Sequence, residues 1–574
     1  MKHPIDYSEY VRRLYHSENP NISSCRNVTF VVTEACDLRC TYCVSGDTLI
    51  CMADGTQKPI SDVKVGESVL SFPEKYGDDA NQSTVIETYK HTDNVVKLIT
   101  TDGYNDSALY ITKNHKVLTA TCPNVFTPVG DLRIGDRLFD LIGNSSSDGF
   151  VLDDGSITVI GIEEVYEPME VYNIATTEHT YFANGLAVHN CYEAHKCAKY
   201  MTFDVAKKIV DLIFKLSETD DSEFINTKTK AVILDFIGGE PLLNIKVIAQ
   251  TCDYFWHKAL ELHHRWADTF RISMISNGVN YFKPDVQEFI KKYHNRLSFG
   301  ITIDGDKDMH DACRIHPDGS GSWEEANAAQ MHYHEHYGDT LSTKVTIAPE
   351  NLEHLDKIIK YFIENGYTEI FANPVYEVEW TVEQSKTYYK KLKHIADYII
   401  DNGLKDKIFI SLFDNNLFKP IPEEEQHPYC GGTGDMCAFG TDGKAYPCLR
   451  YMELSLNGSQ PEICIGNCER GIYQTEYEKA ILDDMASVTR RSYTTDECYY
   501  CPIASGCGNC SAWSYQKHGT YNKKDVGICW MHRARSLANA YYYHKIKDDF
   551  TLNLQKEFAL QIVDESEYNE LLKG

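Results

Sequence analysis

The chain lacks a long apolar run. No stretch approaches the ~18 apolar residues of a membrane span, so no membrane partner is expected. The opening residues, MKHPIDYSEYVRRLYHSENP, carry no apolar signal core, and a cytoplasmic location is expected. Positive charge is also short: 56 Lys and Arg stand against 84 Asp and Glu, for a net charge of −28. A nucleic-acid partner would want a basic stripe, so none is expected. What the chain has in number is cysteine, 20 in 574 residues. In a reducing compartment such thiols serve as metal ligands or nucleophiles rather than disulfides. The length predicts about two to four domains.

One cysteine motif has two candidates for its last position. Cys36, Cys40 and Cys43 form C-x3-C-x2-C, yet Cys191, in AVHNCYEAHK, offers another third cysteine. Between them, Gly46 to Asn190 reads differently from its flanks. Short β-type runs (SVLSF, STVIETYK, VVKLITT, ALYITK, KVLTA) are broken by Gly, Asp and Asn turns. Acidic residues outnumber basic ones, and long amphipathic helical patterns are scarce. This predicts a compact all-β unit inside an α/β chain.

The edges of that unit carry reactive residue types. Cys43 opens it, and Thr112-Lys113-Asn114-His115 lies within a β-like run. The segment closes HTYFANGLAVHN, with His179, His189 and Asn190, and Cys191 follows. This order resembles an intein of the Hint fold, which implies that residues 43–190 form a self-excising mini-intein. A thiol can attack its own preceding carbonyl and turn an amide into a thioester. Cys43 would do so at the Tyr42 carbonyl, and His115 would protonate the departing nitrogen. Thr112 would help to hold that geometry. Cys191 would take over the N-terminal segment. Asn190, assisted by His189, would cyclise and cut its own peptide bond, and an S-to-N shift would join Tyr42 to Cys191. The family's VYD element reads Val171-Tyr172-Asn173 here. Asn173 cannot supply a carboxylate, so the first two steps are expected to be coordinated differently. Cys40 and Cys43 also form C-x2-C, and oxidation there would block the first thiol.

Removing residues 43–190 rebuilds C-x3-C-x2-C as Cys36, Cys40 and Cys191. Three thiolates at this spacing can hold three irons of a [4Fe–4S] cluster and leave the fourth open; a zinc site would want a fourth ligand. The motif follows the strand-like run NVTFVVTEA. It resembles the radical S-adenosylmethionine superfamily. The resemblance implies that S-adenosylmethionine binds the open iron and is cleaved reductively to a 5′-deoxyadenosyl radical, with Tyr42 near the adenine. Six apolar runs (NVTFVVT, AVILDFIG, RISMISN, LSFGITID, TKVTIAP, EIFANPV) alternate with helical patterns such as FDVAKKIVDLIFKL and LEHLDKIIKYFIE. They predict six βα units of an α/β fold, and the resemblance implies the superfamily's partial (β/α)6 TIM-like barrel, with the site at the strand C-terminal ends. Gly238-Gly239-Glu240-Pro241 ends the second run and, by resemblance, lines the cofactor's amino group. Ser276 and Asn277 end the third run and match a ribose or carboxylate contact; Asp304, ending the fourth, is a further candidate.

The C-terminal third holds Cys430, Cys437 and Cys448 in YCGGTGDMCAFGTDGKAYPC, then Cys498, Cys501, Cys507 and Cys510 in CYYCPIASGCGNC, and Cys529. This resembles a SPASM domain with two auxiliary [4Fe–4S] clusters. The resemblance implies that Cys430, Cys437, Cys448 and Cys510 hold one and Cys498, Cys501, Cys507 and Cys529 the other; zinc ribbons are the alternative. Most other cysteines are expected to be buried small apolar residues, with Cys464 and Cys468 unassigned. The expected organisation is an N-terminal segment with the first strand (1–42), the Hint unit (43–190), the rest of the barrel (191–425), the SPASM domain (426–530) and a helical tail (531–574).

Sulfatase maturases of this group typically carry Asp directly after the G-x4-C cysteine, where this chain has Leu449. GITIDGDKDMHDACRIHPDGSGSW and YPCLRYM resemble maturases of ribosomally made peptides. That implies hydrogen abstraction from a carbon of a Cys-rich peptide and bonding of a Cys sulfur to that carbon, with flavodoxin or ferredoxin as electron donor. A sulfatase-maturase-like enzyme and a non-catalytic metal-binding scaffold are the alternatives. About 26 residues precede the first strand, too few for a leader-binding domain there.

Overall fold

The computed structural model describes residues 25–38, 43–72, 81–113, 115–120, 125–143, 150–177, 180–189, 199–220, 222, 224–311, 314–316, 320–338, 340–349, 351–427, 430, 432, 436–456 and 459–573. Two units emerge, one of Met1–Ala35, Ala198–Met309 and Trp323–Gly574, the other of Cys36–Cys197 and His310–Ser322.

In the first unit, strands β1 (Cys25–Thr33), β2 (Ala231–Gly238), β3 (Arg271–Ser276) and β4 (Leu297–Ile301) pair in parallel in that order. Strands β5 (Ser342–Ile347), β6 (Glu369–Pro374) and β7 (Phe409–Ile410) form a second parallel ladder. Helices follow the strands: α1 (Phe203–Leu216), α2 (Ile245–Glu261), α3 (Pro284–Tyr293), α4 (Trp323–Tyr337), α5 (Leu355–Glu364) and α6 (Val382–Asp401). Six strand–helix units are thus present, as the apolar runs predict.

Period-two alternation sorts the strand faces. Val28, Leu234, Ile272 and Leu297 stand in register across β1 to β4 and are all buried. Their successors Thr29, Asp235, Ser273 and Ser298 form a polar row on the opposite face. Each aliphatic side chain so buried contributes about 1.5–3 kcal/mol. Helix α1 starts where the Thr202 hydroxyl accepts from the Val205 N–H at 3.3 Å, and it buries Ile209, Val210 and Ile213.

The Cys-rich segment adds to this sheet. Strand β8 (Met436–Phe439) pairs in parallel with the free side of β1, from Asn27↔Met436 to Phe30↔Phe439. β9 (Lys444–Tyr446), β10 (Gly466–Asn467) and β11 (Gly471–Ile472) continue it antiparallel, giving eight strands. Helices α7 (Ser511–His518) and α8 (Cys529–Lys545) follow. The Tyr-rich tail lies on α8, which packs along α6 through a 2.7 Å hydrogen bond from Tyr541 to Asp397.

The second unit is an antiparallel β structure, from Val44–Ser45 to Leu186–His189. It contains a repeat that the sequence also shows: PISDVKVGESVL (59–70) and PVGDLRIGDRLF (128–139). Each copy makes a 3-10 turn, Ile60–Asp62 and Val129–Asp131, and then a glycine with positive φ, Gly66 at 89° and Gly135 at 99°. The glycine N–H groups donate to Val85 and Val159 carbonyls, each at 2.8 Å. Val69, Leu98, Ile111, Val117, Leu138 and Val188 fill the core between the copies.

Candidate active sites

In the second unit, Cys43 sits at the head of the short strand Val44–Ser45. Val44 pairs with Ile111 on one side and Tyr172 on the other. The next positions in register bring Thr112 and Asn173 to the two flanks of Cys43. The Cys43 N–H donates to Thr112 Oγ1 at 2.9 Å, and the Thr112 N–H donates to the Cys43 carbonyl at 2.9 Å. The Thr112 carbonyl in turn accepts from the His115 N–H at 3.0 Å, which folds the Thr112–His115 turn back on itself. Cys43, Thr112 and His115 are all buried, His115 completely. The Cys43 and His115 backbones and the Thr112 hydroxyl are therefore tied together away from bulk water.

One residue not singled out from the sequence joins them. Tyr181 lies edge-on to His115, ring centroids 6.5 Å apart. Its phenol donates to Asn173 Oδ1 at 3.0 Å. His189 ends the strand Leu186–His189, its backbone in register with Thr180. His179, Asn190 and Cys191 lie outside the described residues, as do Tyr42 and Cys40.

In the first unit, the ends of β1, β2 and β3 are tied together. The Gly239 N–H donates to the Thr33 carbonyl at 3.0 Å, and the Glu240 N–H to the Ala35 carbonyl at 2.8 Å. A Cβ on Gly238 would stand 2.1 Å from the Thr33 oxygen, so only glycine fits. The buried Glu240 carboxylate accepts from the Leu242 N–H at 3.0 Å, the Ser276 hydroxyl at 2.8 Å and the Asn277 N–H at 2.8 Å. Gly238–Pro241 and Ser276–Asn277 thus meet at one rim, where Glu240 works as a brace between them. Asp304 follows the C-terminal end of β4 in the chain, and Cys36 is half-buried in its own unit.

The C-terminal thiols gather in two groups. Gly432 stands between Cys430 and Cys448, where an added Cβ would lie 3.4 and 3.5 Å from their sulfurs. Burial pushes the Cys448 thiol up to about 12, and Cys430 and Cys510 add to the rise. Burial also raises Cys437, with Cys464 and then Cys448 contributing. In the second group, burial pushes Cys529 up to about 12, with Cys507, Cys501 and Cys498 adding. Cys464, beside Cys437, is a thiol the motif spacing does not reveal. Lys524 Nζ donates to the Cys507 and Gly508 carbonyls at 3.2 and 3.0 Å.

Thiols that hold their protons against one another in this way release them to a metal that draws thiolate ligands. Among the described residues, no three His, Cys, Asp or Glu converge as ligands of a single ion. Donor sets made of cysteine sulfur alone are of the kind that iron–sulfur clusters take.

No family model matches the chain. An uncharacterised protein of Methanocaldococcus jannaschii is 25% identical over 279 residues, 48% of this chain and 82% of that protein. A radical SAM cyclopropyl synthase of Paramaledivibacter caminithermalis is 19% identical over 350 residues, 60% of this chain and 66% of the synthase, just under two thirds. A solved bacterial intein-like domain from Clostridium thermocellum is 26% identical and covers 26% of this chain and 99% of that domain, with a TM-score of 0.21. The chain is thus similar to a radical SAM cyclopropyl synthase over 60% of its length and, over 26% of it, to an intein-like domain.

Proposed function

We propose that this chain is a precursor: residues 43–190 excise themselves, and the joined flanks become a radical S-adenosylmethionine enzyme that modifies a Cys-containing peptide. The observation that carries the reading is the buried exchange of hydrogen bonds between Cys43 and Thr112, with His115 on the same turn. The Cys43 sulfur bonds to the preceding carbonyl carbon, the C–N bond breaks, and the thiol proton ends on the freed amine. His115 would pass that proton. Cys191 then displaces Cys43, and Asn190, aided by His189, closes on its own carbonyl and severs the chain. A final shift leaves an amide between Tyr42 and Cys191, and Cys191 completes the motif begun by Cys36 and Cys40.

When bound, the cluster and S-adenosylmethionine supply the radical that removes a hydrogen from a peptide carbon. The chain's own part is to hold the reactants. Cys36, Cys40 and Cys191 ligate the first cluster, Glu240 keeps the rim of β2 and β3 in place, and the two thiol groups hold auxiliary clusters. A Cys sulfur of the peptide, having lost its proton, would then bond to that carbon, and the one surplus electron would pass to an auxiliary cluster held by the two thiol groups. A flavodoxin or ferredoxin in the cytoplasm would be the electron donor to the first cluster. The domain limits follow: 1–42 and 191–425 for the barrel, 43–190 for the Hint unit, 426–530 for the SPASM domain and 531–574 for the tail.

Anaerobic reconstitution of the joined enzyme tests this reading. It should form 5′-deoxyadenosine from S-adenosylmethionine; a reconstituted protein that forms none leaves the metal-binding scaffold as its role. The similarity to a cyclopropyl synthase favours a second reading, ring closure between peptide carbons. A product that still alkylates at every cysteine would support that second reading.

A further inference from the structure

The insert holds a polar pair that the splicing roles above do not use. Asn173 and Tyr181 lie on consecutive strands and are 2% and 0% exposed. A backbone N–H can only donate, so the Asn173 atom that faces the Ile174 N–H at 2.8 Å is the amide oxygen. The Tyr181 phenol donates to that same oxygen at 3.0 Å. With two donors on the oxygen, the rest of the amide is an NH2 group, which only donates.

Register places Asn173 beside Cys43. Val171 and Tyr172 pair with Ser45 and Val44, so Asn173 comes next to Cys43. Opposed residues of an antiparallel pair share one face of the sheet. Val95 and Val171 pack on Cys43, with Tyr110, Val165 and Met169 half-buried around them, so that Tyr110 carries the one polar tip among these neighbours.

Resting on the splicing reading of Cys43, we propose that Tyr181 is a positioning residue for the first acyl shift. Its phenol holds the Asn173 amide so that a neutral N–H donor, and no carboxylate, stands beside Cys43 as the thioester forms. In that step one S–C bond forms and one C–N bond breaks, the thiol proton moves to the amine, and nothing is oxidised or reduced. A fixed donor stabilises the oxygen charge that develops in such a step. Its neutrality leaves the thiol easier to ionise than a neighbouring carboxylate would.

The full chain carrying Asn190→Ala and Cys191→Ala stops after this step, and dithiothreitol then cleaves the thioester and releases residues 1–42. The release rate is read from neutral to alkaline pH in that background, alone and with Tyr181→Phe, Asn173→Leu, Asn173→Asp or the first two combined. Tyr181→Phe should slow release about threefold to tenfold at every pH, without moving the pH profile. Once Asn173→Leu has removed the amide, Tyr181→Phe should slow release no further. Asn173→Asp should move the rise of the profile to higher pH. Release at the full rate in Tyr181→Phe, equal slowing by Tyr181→Phe with and without the amide, or a profile unmoved by Asn173→Asp would each overturn the proposal. A background chain that never yields the 1–42 fragment contradicts the splicing reading itself, and the positioning role falls with it.

Discussion

Cys43 and Thr112 stand 69 residues apart and exchange hydrogen bonds, each backbone N–H donating to an oxygen of the other residue. The same offset separates the two copies of the repeat that carry Gly66 and Gly135. The thiol that begins the insert and the threonine that steadies it therefore occupy matching places in two halves of one β unit. Such a bond inside a water-poor site is expensive to lose.

Thr112→Ala removes the acceptor of the buried Cys43 N–H. An unmade bond of this kind costs about 1–3 kcal/mol, and about 1.4 kcal/mol is a tenfold change in rate. Excision should slow roughly tenfold to hundredfold, with Thr112→Ser restoring most of it. Band intensities on a denaturing gel over time check this; equal rates for Thr112→Ala and the native chain would remove Thr112 from the site.

Glu240→Gln tests the brace at the barrel rim. The carboxylate accepts from three donors, whereas a glutamine side chain turns an NH2 toward at least one of them. The barrel should lose about 1–3 kcal/mol and melt at lower temperature. An unchanged melting temperature would show the brace to be dispensable.

Cys448→Ser and Cys529→Ser should each lower the iron content of the reconstituted enzyme by about one cluster, about four irons. Cys252→Ser, at a completely buried thiol of α2, should not change it. Iron and sulfide assays decide. Equal iron in all three variants would dissolve the two thiol groups as ligand sets.

Burial, with Arg265 beside it, holds His264 down to about 4. Its Nδ1 accepts from the Trp266 N–H at 3.2 Å, and protonation would end that bond. The unfolded chain binds the proton near pH 6.5 and the folded chain does not. Stability is therefore complete above about 6.5 and falls as pH drops toward 4, by about 1 kcal/mol over the first unit. Urea midpoints should fall less steeply with acid in His264→Gln; parallel curves would contradict the assignment.

Several of these features are legible in the sequence. AVILDFIG is β2 and FDVAKKIVDLIFKL is α1, residue for residue, because burying one face imposes a period on the chain. The order of Cys43, Thr112 and His115 is likewise plain in the residues alone. Other features depend on partners far away in the chain. Nothing in MCAF announces a strand that pairs in parallel with β1, since four residues carry too little period and the ladder is decided by contacts across some four hundred positions. GGEP marks a loop at a strand end, but not that Glu240 turns inward onto Ser276. Tyr181 reads as one more core aromatic until its phenol is found on Asn173.

The account turns on whether the chain re-forms its iron motif by removing what interrupts it. Intact-mass measurement of the purified full-length chain, held under reductant without oxygen, tests this most directly. It should resolve into a free peptide of residues 43–190 and a single protein in which a tryptic fragment joins Tyr42 to Cys191. A chain that keeps its full mass indefinitely, while Cys43→Ala behaves identically, would contradict it.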